Sequence, residues 1–123
     1  MYVDLLTHCP DPAALLAEVQ AKHPDRVVYD GNNPVGWDIF KAPSAHAADG
    51  GVETIAHCRV TVGDLASVRS LGRVEVLAEA HYDGATQSTH DALYDALAAN
   101  PTAVAIYERV TGLTLPERVL GVI

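Results

Sequence analysis

The chain is short of basic residues, cysteines and long apolar runs, and each shortage closes off a class of function. Eight Lys and Arg stand against sixteen Asp and Glu, a formal charge of −8. A non-specific nucleic-acid surface needs clustered cations to displace counterions, and an anionic membrane surface needs the same. Neither nucleic acid nor membrane is therefore expected as a partner. The two cysteines, Cys9 and Cys58, are too few for a disulfide scaffold. Both sit in apolar surroundings and read as small core residues. No stretch approaches the roughly 18 apolar residues of a spanning helix. No basic segment precedes an apolar run at the start, where Asp4 intervenes. A cytoplasmic location follows by default.

Several motifs are missing too. No His-x-x-x-His or Cys-x-x-Cys pair is present, so no closely spaced metal-ligand pair exists. Asp30-Gly31-Asn32-Asn33 offers oxygen ligands but lacks the spacing and closing Glu of a calcium loop. Gly50-Gly51 is followed by no Gly-Lys-Ser/Thr, which excludes a phosphate loop. Ser88-Thr89-His90-Asp91 holds nucleophile, base and acid types in a row, yet neighbours on a helix start do not face one another as a triad must. A helix cap accounts for Ser88, Thr89 and Asp91 together.

What is present reads as one α+β domain over residues 1–123. Apolar residues make up 49% of the chain, enough at this length for a core without staples. The clearest periodicity lies between Arg73 and Val110. Val74, Val76, Ala78, Ala80 and Tyr82 alternate with Glu75, Leu77, Glu79 and His81, the pattern of a half-buried strand. Asp83-Gly84 is a turn. A helix with Leu93 and Leu97 four apart follows, and Asn100-Pro101 ends it and starts another that runs to Gly112. In that second helix the stripe is read from Ile106 and Val110, with Val104 and Tyr107 on flanking rows.

Earlier in the chain, Tyr2 to Cys9 alternates as a strand with Val3, Leu5, Thr7 and Cys9 on one side. Asp11 caps a helix with Pro12 at its first position, and His23-Pro24 ends it. A short strand is expected over 26–29, a loop over 30–36 and an extended segment over 37–40 that can pair back as a hairpin. The 42–51 stretch is small, unpatterned and read as a flexible loop. A strong strand spans 52–62, and a short helix follows. The simplest assembly is a ferredoxin-like antiparallel sheet with helices on one face and an additional C-terminal helix. In it the first strand lies between the two long later ones.

That plan leaves one sheet face free. Leu6, Ile55 and Leu77 form its apolar centre, ringed by Arg59, the histidines and carboxylates. An apolar middle inside a polar rim is the anatomy of a protein interface. The expectation is a homo-oligomer, or a contact with another protein, made through Leu6, Ile55, Leu77 and Arg59. The alternative uses His8, His57, Glu79 and His81 on the same face to hold a divalent metal or small ligand, or to serve a cofactor-independent enzyme. Read plainly, these are exposed strand residues, and no cofactor is expected.

The compact opening through Val27-Val28-Tyr29-Asp30 and the ending from Leu93 to Thr102, with its Ala-rich helices, resemble small prophage-encoded proteins of unassigned function. The resemblance implies a role in particle assembly or host interference, and it supplies no site residues. The functional expectation is a small acidic assembly or interaction protein without enzyme activity.

Overall fold

The computed structural model describes residues 2–40, 44–46, 53–82 and 89–115. The main sheet is built on β1 (Tyr2–Cys9), β5 (Thr54–Thr61) and β6 (Glu75–Tyr82), with the short β4 (Ser44–His46) at one edge. Their order is β4-β5-β1-β6. β1 runs antiparallel to both β5 and β6. The two outer long strands are therefore parallel to each other, and α2 (Val62–Arg69) carries the chain over β1 from one to the other. The expected central place of the first strand is met.

The signals that start the first and last helices and stop the last are where the sequence puts them, whereas α2 is capped by Thr61, within the strand expected over 52–62, and the expected cap at Ser88 or Thr89 lies outside the described side chains. Asp11 Oδ1 accepts from the amides of Ala13 and Ala14 at the start of α1 (Pro12–Lys22). Thr61 Oγ1 accepts from Asp64 N at the start of α2. α3 (Thr89–Ala98) precedes α4 (Pro101–Thr111), where Asn100 Oδ1 accepts from Ala103 N. Gly112 ends α4 at φ 73°, a left-handed position that costs a glycine nothing.

Between α1 and β5 the chain differs from expectation. β2 (Val27–Asp30) and β3 (Asn33–Trp37) form a tight two-stranded ribbon, turned at Gly31 with φ 62°. The abundance of turn-forming residues at 30–36 reads as a loop, but Gly31-Asn32 alone makes the turn and the rest, apart from the bulged Val35, pairs. The extended segment expected at 37–40 is instead the end of β3 followed by a 3-10 turn over Asp38–Phe40. Within the 42–51 segment, Ser44–His46 pairs with β5 as β4; the remainder lies outside the described residues, as do the turn at Asp83-Gly84 and the tail after Leu115.

The sheet is covered on both faces. On one side α1, α2 and the ribbon bury Val3, Leu5, Leu15, Val19, Trp37, Cys58, Val60, Leu65 and Val68. On the other, α3 and α4 bury Leu6, Ile55, Leu77, Ala78 and Ala80 against Leu93, Tyr94, Leu97, Tyr107 and Val110. This corrects the one-sided, ferredoxin-like layering. Two amphipathic helices need an apolar surface to bury against, and the second sheet face supplies it.

A β-bulge shifts the register of β6 against β1. Leu6 pairs with Ala78 but Thr7 pairs with Val76, so Leu77 is the extra residue. Leu77 and Ala78 consequently share the α3–α4 side, and the alternation reverses beyond them. Ala80 stays on that side, whereas Glu79 and His81 pair with Leu5 and Val3 and so cross to the α1–α2 side.

Candidate functional site

The surface the sequence singles out is the sheet face beneath α3 and α4. Asp4, Leu6 and His8 reach it from β1, opposite Arg59, His57 and Ile55 of β5. Its apolar centre is closed. Leu6 is 0% exposed, Ile55 1% and Leu77 5%, so none is open to a partner. Arg59 is the exception, with its side chain 61% exposed at the edge of the face. The free contact face is therefore corrected: it is an internal interface, and its occupant is the chain's own helical hairpin. Tyr94 and Tyr107 meet edge to face above it, ring centroids 6.2 Å apart.

Two polar groups flank the apolar centre. Around Asp4, which is buried, Arg59 Nε donates to Oδ1 at 3.0 Å and His57 Nε2 lies 3.7 Å from Oδ2. Burial alone would raise the Asp4 carboxyl, but His57 and Arg59 outweigh it and hold it below the usual carboxylate range. Around His8, also buried, Nε2 lies 2.5 Å from Glu53 Oε2 and Nδ1 lies 3.5 Å from Glu75 Oε2. Arg109 of α4 grips Glu53 with two N–H groups, at 2.7 and 3.0 Å. The guanidinium first, and His8 second, pull the Glu53 carboxyl down to about 2.

The four metal-ligand candidates do not converge. His8 and His57 lie on the α3–α4 face, in separate groups. Glu79 and His81 lie across the sheet, where His81 Nε2 is 2.9 Å from Glu79 Oε1 and Arg69 also pairs with Glu79. The bulge at Leu77 is the physical reason: it reverses the parity that would have put all four on one side. Among the described residues, no group of three or more His, Cys, Asp or Glu side chains is placed to hold a metal ion.

Searches against protein-family models, curated proteins and solved structures find no match to this chain. Its function has to be argued from its own residues.

Sequence reasoning passed over Glu53 and Arg109 as site residues, and it left Asp4 and Glu75 as rim residues among several. Asp4 carried a signal: it is a carboxylate amid apolar neighbours on a central strand, with the parity of Arg59. Arg109 and Glu53 carried none, because only the folded α4 brings them together. Cys58 lies in the core, as its parity predicts. Burial, with a smaller push from Asp4, raises its thiol to about 12.

The depressed Glu53 carboxyl makes a pH prediction. Its pKa in the unfolded chain is near 4.5, so the Arg109 contact stabilises the fold fully above that value. The contribution is lost as pH falls from about 4.5 through about 2. Denaturant unfolding across that range should show a steeper acid loss for the native protein than for Glu53→Gln. Equal slopes would refute the linkage.

The remaining exposed apolar surface lies elsewhere. Among the described residues, the exposed large hydrophobics are Tyr2, Val28, Tyr29, Val35 and Val62. Three of these five belong to the β2–β3 ribbon. Val27 and Trp37 root the ribbon in the core, while Tyr29 is 54% exposed and Val35, the extra residue of a bulge in β3, is 58% exposed. Arg26 fixes its base, donating from Nε to Asp38 at 3.0 Å and from Nη1 to Asp64 of α2 at 2.7 Å.

Proposed function

We propose that this chain is a small acidic interaction protein without an enzymatic role, and that it self-associates through the β2–β3 ribbon. The observation that carries this reading is that three of the five exposed large hydrophobics among the described residues, Val28, Tyr29 and Val35, belong to this one ribbon, whose base Arg26 holds. Scattered single apolar side chains are normal on a surface, but their concentration on one short ribbon, over both its faces, favours a contact there.

A second copy is the occupant that the charges favour. The chain carries a formal charge of −8, yet between Val27 and Trp37 Asp30 is the one charged residue. Two like-charged molecules meet with least repulsion where each is charge-poor. A two-fold arrangement of antiparallel ribbons keeps the two Asp30 carboxylates at opposite ends. Pro34 withholds an amide from the ladder, so side-chain packing rather than strand addition makes the contact. A ribbon this short buries less than the roughly 1,200 Å² of a standard interface, so a weak, concentration-dependent dimer is expected. The resemblance to small prophage-encoded proteins points the same way, toward assembly.

Native mass spectrometry over a wide concentration range tests the reading. The native chain should shift from monomer to dimer as concentration rises, and Val35→Glu should remain monomeric with an unchanged circular dichroism spectrum. A native chain that is monomeric throughout, or a variant that dimerises equally well, would overturn it.

A further inference from the structure

The buried imidazole of His8 has a carboxylate oxygen at each ring nitrogen, Glu53 Oε2 at Nε2 and Glu75 Oε2 at Nδ1. Only the doubly protonated ring carries an N–H on both sides. A neutral ring must turn one lone pair toward a carboxylate, while the ring itself is buried between Glu53 and the more open Glu75. The charges tell the same story. Imidazolium and the Arg109 guanidinium together balance Glu53 and Glu75; without the proton, one negative charge is left over.

The groups around the ring come from separate parts of the chain. Glu53 precedes β5, Glu75 opens β6, and Arg109 stands in the last turn of α4 and reaches the ring through Glu53. Asp4, His57 and Arg59 form their own group farther along β1. Among the described residues, His8 is thus the positive group that joins both carboxylates, and Glu53 in turn is the hold on Arg109.

We propose that His8 is a charge-operated clasp: protonated, it locks the entry to β5, the start of β6 and the end of α4 into one unit, and loss of its proton loosens the end of α4 from the sheet. The end of α4 carries Val110, buried in the same cluster as Ile55 and Leu6. Loosening it begins to uncover the apolar sheet face.

Backbone hydrogen exchange by NMR, corrected for the intrinsic pH dependence, reads the clasp directly. Amides closing the last turn of α4, including Gly112 N donating to Glu108 O, are compared with those of α1 as an internal reference. Between roughly pH 5 and pH 8, protection at the end of α4 should fall by roughly tenfold relative to α1, the factor expected for one charge-assisted hydrogen bond. In His8→Gln the step should vanish. Should that variant fail to fold, Glu75→Gln keeps the buried ring and relieves the conflict at Nδ1, so the step should shrink. A flat native profile, or a full step surviving in Glu75→Gln or His8→Gln, would overturn the proposal.

Discussion

Leu77→Glu should unfold the protein rather than merely separate its subunits. Read from the sequence, Leu77 sits at the middle of an open contact face, and a charge there would leave secondary structure intact. In the structure it is 5% exposed, packed in the cluster that seats α3 and α4. An isolated carboxylate placed there loses its water and gains no partner, and Leu77's packing is lost as well. The combined cost is about 3–5 kcal/mol or more, a large share of the 5–15 kcal/mol typical of a domain. Far-ultraviolet circular dichroism and a thermal melt decide the matter. A folded, cooperative variant with a near-native melting temperature would show that α3 and α4 do not cover this face.

Tyr107→Ala is the second large effect. Tyr107 is fully buried, sits edge-on to Tyr94, and links α4 to α3 over the sheet. Truncating a large buried aromatic leaves a cavity that neighbours fill only in part, at about 3–5 kcal/mol. Denaturant unfolding should show the midpoint lowered accordingly. Because Val3, Leu5 and Val60 on the far face keep their own cover of α1 and α2, the loss should fall first on the α3–α4 hairpin. Hydrogen exchange would show α3 and α4 exposed ahead of α1. A loss below about 1 kcal/mol would mean that Tyr107 is not a keystone of this layer.

These two substitutions mark the limit of what the sequence makes legible. β1 was readable because Val3, Leu5 and Cys9 alternate without interruption, and the caps at Asp11 and Asn100 because each acts within one turn of its own position. The face beneath α3 and α4 was not. Asp4 and His8 flank Leu6, and His57 follows Ile55, so the face looks half polar and therefore wet. The polar groups satisfy one another with Arg59, Glu53 and Glu75, and that pairing lets the face be buried. One clue was available: Leu93 and Leu97 in α3 form an apolar stripe too strong for a helix with nothing to lie on.

The stripe of α4 was legible in kind but not in phase. Ile106 marks a flanking row, while Ala103, Tyr107 and Val110 face inward. The ferredoxin-like reading was correct about the neighbours of β1 and incorrect about layering, because strand order follows from connection lengths whereas the covering of a face depends on contacts between distant elements. The bulge at Leu77 escaped altogether. Nothing in Glu75-Val76-Leu77-Ala78-Glu79 breaks the alternation; the break exists only in the pairing with β1, and it alone separates Glu79 and His81 from His8 and His57.

The central position of β1 also bears on how the chain reaches its fold. Both strands that flank it follow much later, with Tyr2 opposite Thr61 on one side and Tyr82 on the other. During synthesis β1 therefore waits, unpaired and apolar, while α1 and the ribbon form locally. Contacts of such long sequence separation close slowly, so the sheet is the late event in folding. Until β6 arrives, β1, which ends buried along nearly its whole length, stays open to capture by other chains.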